Sequence, residues 1–264
     1  MILTITLMFA LIGVVMGSFC NAWAIRLLRG ESIAKGRSKC PHCRHQLAWY
    51  DNIPLLSYII LWGKCRYCKK PISAQYPVVE LASGLLFAGL DLHFQPTNTQ
   101  GWITLVLWCI LSIFLIASFI TDWIELVLPD NYMVPAIVLS LLIAVVASYI
   151  SGQGIVWSVV FSRILQAGIF VAIYSALYFG SKGKFIGDGD IRLAAILGLA
   201  LALPQLFVAV FATYIIGAAI GSFCILTKLK TRKDVIAFGP FLIIGLYIGL
   251  FWGEQIARWY LHLF

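Results

Sequence analysis

Long runs of apolar residues, unbroken by charge, most constrain what this chain can fold into. Eight recur, over residues 2–25, 78–94, 102–121, 133–150, 156–179, 191–203, 205–227 and 235–262. A helix of about 20 apolar residues matches the ~30 Å hydrocarbon core of a bilayer, whereas a barrel strand alternates over about 10 residues. The chain has 264 residues, of which 61% are hydrophobic and 11% charged, and its mean hydropathy is +0.94. A soluble domain carries about 25% charged residues. The expected fold is therefore an all-α polytopic membrane protein with about eight transmembrane helices. The first run has no basic segment before it and no clear small-residue cleavage site, so it reads as a retained span. Pro204 separates the short sixth run from the seventh and favours a tight hairpin there. The last run is too long for one straight span and is expected to kink at Gly239-Pro240.

Charge sets an orientation. With eight spans, residues 26–77, 122–131, 180–190 and 228–234 share one face. All of the 19 basic residues except Arg163 and Arg258 fall in these loops or at their edges. Basic loops stay cytoplasmic, so this face is expected to be cytoplasmic and both termini outward. The net charge of +8 is then a consequence of topology, and nucleic acid is not an expected partner.

The only long polar stretch, 26–77, carries two knuckles, Cys40-Pro41-His42-Cys43 and Cys65-Arg66-Tyr67-Cys68, with 21 residues between them. Four thiolates in two C-x-x-C pairs read as a closed tetrahedral metal site, most naturally zinc. A reducing cytoplasm favours thiolates over disulfides. His42 and His45 flank the first knuckle but are not needed by a site that four thiolates close. Cys20, Cys109 and Cys224 lie in apolar runs as small hydrophobes. Between the knuckles, residues 52–62 (NIPLLSYIILW) are apolar but too short to span. They are expected to lie on the membrane interface or re-enter it, the plain alternative being a small buried core for the metal module. Gly13 with Gly17, and Gly217 with Gly221, have the spacing of close helix contacts.

Only eleven acids are present, and an ionised carboxylate near a bilayer is costly unless it has a partner or a task. Asp122 follows one apolar run and Asp190 precedes another, at the same cytoplasmic depth. Each alone could be an ordinary helix-end residue, and Asp190 could be an N-cap. Together they allow a pair that shares one proton, with one carboxylate as general base and one carboxyl as general acid. Asp190 sits in Gly187-Asp188-Gly189-Asp190, whose glycines permit sharp turns and close approach of a substrate strand. Asp188 could compete with Asp190 for that role.

Several patches then converge: Gly17-Ser18-Phe19-Cys20-Asn21 with Arg26, the two knuckles around Asn52-Ile53-Pro54-Leu55-Leu56-Ser57-Tyr58, Tyr76-Pro77-Val78-Val79-Glu80-Leu81, Leu128-Pro129-Asp130, Gly187-Asp188-Gly189-Asp190 and Phe238-Gly239-Pro240. In these the chain resembles the bacterial type 4 prepilin peptidases, membrane aspartic proteases of the G-x-G-D type. The resemblance implies catalytic aspartates at Asp122 and Asp190. It also implies cleavage of the basic leader from type IV prepilins or type II secretion pseudopilins at the cytoplasmic face of the inner membrane. Methylation of the new N-terminus with S-adenosylmethionine would follow. Arg192 stands where the family usually has Lys, and no Gly-rich nucleotide fingerprint marks the methyl-donor site. The expected division is 1–25 as first transmembrane helix, 26–77 as cytoplasmic four-cysteine zinc domain and 78–264 as membrane-embedded aspartic peptidase domain. Competing expectations are a transporter using Asp122 and Asp190 as ion ligands, or a non-catalytic assembly factor of a secretion machine. A transporter would place such acids near the bilayer midplane.

Overall fold

The computed structural model describes residues 2–33, 36–150, 155–183, 186–229, 231 and 234–262. Of the basic residues used for orientation, Lys35, Lys184, Lys230, Arg232 and Lys233 lie outside the described residues. The described elements are helical: α1 (Ile2–Leu28), a 3-10 turn (Trp49–Asn52), α2 (Leu56–Ile60), α3 (Gln75–Phe94), α4 (Thr99–Glu125), α5 (Asp130–Ile150), α6 (Trp157–Ser181), α7 (Asp188–Ala200), α8 (Leu203–Leu226) and α9 (Gly239–Leu261). Extended pairing among them is limited to two isolated bridges, Lys39 with Gln46 and Lys64 with Pro71. Among the described residues, seven helices have the length and apolarity to cross a bilayer. The sixth apolar run is the 13-residue α7, about 20 Å long and so shorter than the hydrocarbon core. The chain divides into two compact units, Met1–Ile120 and Thr121–Phe264.

In the first unit α1 packs along α3. Small residues allow it. A Cβ on Gly13 would fall 2.8 Å from Cβ of Phe87, and one on Gly17 would fall 2.6 Å from Oγ of Ser83. The Gly13/Gly17 stripe is therefore a close helix contact. Polar groups inside this pair are matched. Buried Asn21 donates to the Gly17 carbonyl (3.3 Å) and accepts from Gln75 (3.2 Å). Thr6 donates to the buried Asp91 carboxylate at 2.6 Å. The N-terminal part of α4 joins through Cys20 Sγ to the Ile113 carbonyl and through Trp23 against Phe114.

In the second unit α8 and α9 pair, and α7 packs against α5, α6 and α9. Here the intimate stripe is Gly245, Gly249 and Gly253 of α9, which the sequence reading passed over. An added Cβ would lie 2.5 Å from the Ala209 carbonyl, 2.5 Å from the Gln205 carbonyl and 2.7 Å from Cα of Gln205, respectively. Gly217 and Gly221, by contrast, meet only ordinary contacts at 3.4 and 3.8 Å. The expected kink at Gly239-Pro240 is instead a helix start. Residues 235–238 are not helical, and Pro240 occupies the first turn of α9, where its missing N–H costs nothing. Pro204 plays the same part in α8, with the Ala202 N–H donating to Oε1 of Gln205 at 3.1 Å.

Candidate functional site

The two knuckles are near copies of one another. Cys40 N–H donates to the His45 carbonyl and Arg44 N–H to the Cys40 carbonyl; Cys65 and Lys69 repeat this with Lys70 and Cys65. Arg44 and Lys69 each take the left-handed conformation, at φ 57° and 60°. That conformation turns the chain back so that both sulfurs of a pair point to one side. The Sγ atoms of Cys40, Cys43, Cys65 and Cys68 all lie within 4.8 Å of one another, and Cys40 to Cys68 is 3.9 Å. The edge of a zinc–thiolate tetrahedron is about 3.8 Å. At Cys40 burial raises the thiol, but N–H groups of Cys43 and His42 facing the sulfur win and bring it to about 7. At Cys68 the Lys70 N–H acts in the same sense, yet burial and the three neighbouring thiols push it up to about 11. Four sulfurs this close resist becoming four anions until a cation joins them. His42 and His45 are exposed, and His45 stacks on Tyr67 at 3.6 Å between ring centres. The donor set thus fits a tetrahedral thiolate metal.

Asp122 lies in the last turn of α4, three residues before its end. Asp190 is the third residue of α7. Both carboxyls are buried, 6% and 5% exposed. Their surroundings follow from three helix ends. The N-terminus of α9 reaches the end of α4, so that a Cβ on Gly239 would fall 2.6 Å from Oδ2 of Asp122. The Gly239 backbone lies against the Asp122 carboxyl, while Oδ2 of Asp122 has no hydrogen-bond partner among the described residues. Asp190 is not the N-cap. Gly187 holds that place, and its N–H donates to Oδ2 of Asp190 at 3.0 Å, the reach-back of a capping box. Burial raises the Asp190 carboxyl to about 7, the Gly187 N–H opposes this, and the charges of Asp122 and then Asp188 add to it. The structure therefore brings Asp122 and Asp190 within electrostatic reach of each other, in a place that disfavours two negative charges.

It separates the other acids. Asp188 and Asp130 are both exposed and are held by one guanidinium: Arg192 meets Asp130 at 2.6 Å and Asp188 at 3.2 Å, and donates to the Leu128 carbonyl at 3.2 Å. Glu125 is exposed. The glycines also divide. A Cβ on Gly189 would strike Leu128 at 2.6 Å, so this glycine serves packing, whereas Gly187 has room. Two buried acids were singled out by no role in the sequence reading. Asp91 is bound by Thr6. Glu80 accepts the Leu55 N–H at 2.8 Å. Their signal was present, since each interrupts an apolar helix.

These features define a class: a multi-pass helical membrane protein with a buried carboxyl pair at helix ends and a tetrathiol module between its first two spans. Residues 11–94 match the bacterial peptidase A24 N-terminal domain, and residues 109–222 match the type IV leader peptidase family. Among similar proteins, the prepilin leader peptidase/N-methyltransferase of Aeromonas hydrophila is 35% identical over 85% of this chain and 74% of its own length. The proteins of the same name from Stutzerimonas stutzeri and Legionella pneumophila are 33% and 31% identical, over 85% of this chain and 74% and 75% of their own lengths. No solved structure matches the chain. The chain belongs to the type IV leader peptidase family.

Proposed function

We propose that this chain cleaves the leader peptide of type IV prepilins or type II secretion pseudopilins and methylates the N-terminus so exposed, with Asp122 and Asp190 as the cleaving pair. The observation that carries the assignment is two buried carboxyls on separate helices, close enough for one charge to raise the other's pKa. The pair holds a single proton near neutrality. The ionised member takes a proton from water as its oxygen attacks the scissile carbonyl carbon. The protonated member donates to the carbonyl oxygen. As the C–N bond breaks, a proton passes to the departing nitrogen and the pair regains its starting state. The Gly187 N–H holds the Asp190 carboxyl in place, and the close-packed Gly239 backbone borders that of Asp122. The ion-transport reading is disfavoured by position, since both acids sit at helix ends and transport sites lie near the midplane.

Zinc on Cys40, Cys43, Cys65 and Cys68 would be structural, because four thiolates leave no open position for water. S-adenosylmethionine supplies the methyl group. It would be held in a cleft of about 500 Å³ whose lining includes Arg37, Ser38 and Trp49, where Arg37 and Ser38 would offer donors to its carboxylate and Trp49 an aromatic ring to its adenine. By the positive-inside tendency, the basic loops support a cytoplasmic location at the inner membrane for this chemistry. The testing experiment incubates purified protein with a prepilin, with and without S-adenosylmethionine, and weighs the product. Loss of the leader in both cases, and one added methyl group only with the methyl donor, is the expected result. An intact prepilin in both would overturn it.

A further inference from the structure

The segment between the knuckles forms α2, and none of its residues is buried. Leu56, Ile59 and Ile60 follow the i, i+3, i+4 spacing of one helix face, with Ile59 67% and Ile60 60% exposed. Trp62, just beyond, is 89% exposed. This is not a buried core for the metal module. It is a contiguous apolar face on the most polar part of the chain.

Depth says what covers it. Leu55, at the head of α2, gives its N–H to Glu80 at 2.8 Å. Glu80 is the sixth residue of α3, about 7.5 Å along the axis from its start. The neighbouring helix gives the same depth. A Cβ on Gly17 of α1 would lie 3.0 Å from Cα of Glu80, and Arg26 stands nine residues, about 13 Å, further toward the polar side. The head of α2 is therefore tied at a level inside two membrane-crossing helices, α1 and α3. The buried Glu80 carboxylate gains a donor there, and Leu55, at φ 60° and ψ −51°, is the centre of a tight turn closed by the Leu56 N–H on the Pro54 carbonyl at 2.6 Å, which turns α2 away from the tie. Exposed Lys64, Lys69 and Lys70 follow at once, placed to meet anionic headgroups while the apolar face enters the acyl boundary; Arg66 between them is held by Asp51 at 2.8 Å.

We propose that α2 and Trp62 form a lipid-embedded anchor, which seats the four-cysteine module in the headgroup–acyl boundary of an anionic leaflet. The proposal stands independently of the cleavage chemistry. The test uses the full-length protein in nanodiscs of phosphatidylcholine and phosphatidylglycerol carrying a photoactivatable acyl chain, with adducts mapped by mass spectrometry. Residues 53–62 should be labelled as strongly as the exposed Leu3, Leu7 and Leu11 of α1. Ile59→Ser with Ile60→Ser should lower that labelling several-fold while bound zinc is unchanged. Brominated acyl chains should quench the native protein more than Trp62→Tyr. Labelling of α1 without labelling of 53–62 would overturn the proposal. So would labelling of 53–62 that saturating prepilin abolishes, because the face would then be a substrate groove.

Discussion

At the scale of single residues, the chemistry turns on which acids are buried and which are tied. Asp190 can hold a proton near neutrality because water is excluded and Asp122 is near. As pH rises through about 7 that proton is lost, both carboxyls become anions and the acid is gone. The kcat/KM for leader cleavage should therefore fall on the alkaline side of neutrality, and a rate still climbing from about pH 7 to 9 would contradict the role of Asp190. Asp188 is an exposed partner of Arg192. Asp188→Asn should keep most activity and cost under about 1 kcal/mol of stability, readable in a thermal melt. Apart from the family resemblance, which implies Asp190, the residues themselves could not choose between Asp188 and Asp190, since two residues apart in a glycine-rich stretch says nothing of which side chain faces inward. The helix start at Asp188 buries Asp190 and leaves Asp188 exposed: position three of α7 turns back on Gly187.

At the scale of elements, helix contacts and knuckles respond to different perturbations. Gly249 leaves no room for a side chain, with the Gln205 carbonyl 2.5 Å and Cβ of Ala209 2.7 Å from an added Cβ. Gly249→Leu should push α8 and α9 apart and destabilise the protein by about 1–3 kcal/mol or more, whereas Gly217→Ala, facing only a 3.4 Å contact with Phe241, should be tolerated. Detergent-resistance or thermal-shift measurements separate the two. Cys40→Ser or Cys65→Ser should remove bound zinc and make residues 36–77 cleavable by added protease, because metal binding and folding of such a module are one equilibrium. A metal-free variant with a protease-resistant module would refute this. The helices were legible because ~20-residue apolar runs admit little else, and the knuckles because C-x-x-C pairs have few other uses. Which glycine stripe mattered was not legible. Gly13/Gly17, Gly217/Gly221 and Gly245/Gly249/Gly253 share one spacing, and only the neighbouring helix decides which is tight. The start of α9 was missed because an apolar run does not reveal where its backbone becomes helical, and Pro240 fits a first turn as well as a kink.

At the scale of the whole molecule, charge is distributed by sign. The proposed cytoplasmic face carries nearly all basic residues, yet Glu125, Asp130 and Asp188 stand exposed near the buried pair. A basic leader is attracted to such a cluster over roughly a Debye length, about 10 Å at 0.1 M salt. KM for a prepilin should rise with ionic strength, and a KM indifferent to salt would argue against steering. The central claim is narrower: Asp122 and Asp190 act as one unit in peptide cleavage and in nothing else. It is tested most directly by Asp122→Asn and Asp190→Asn, singly and together, each assayed by product mass on a prepilin and on a pre-cleaved pilin with S-adenosylmethionine. The account predicts a loss of leader cleavage on the order of 10⁴-fold in either single variant and no further loss in the double. Zinc content and methylation of the pre-cleaved pilin should be retained. Full cleavage by Asp122→Asn would contradict it.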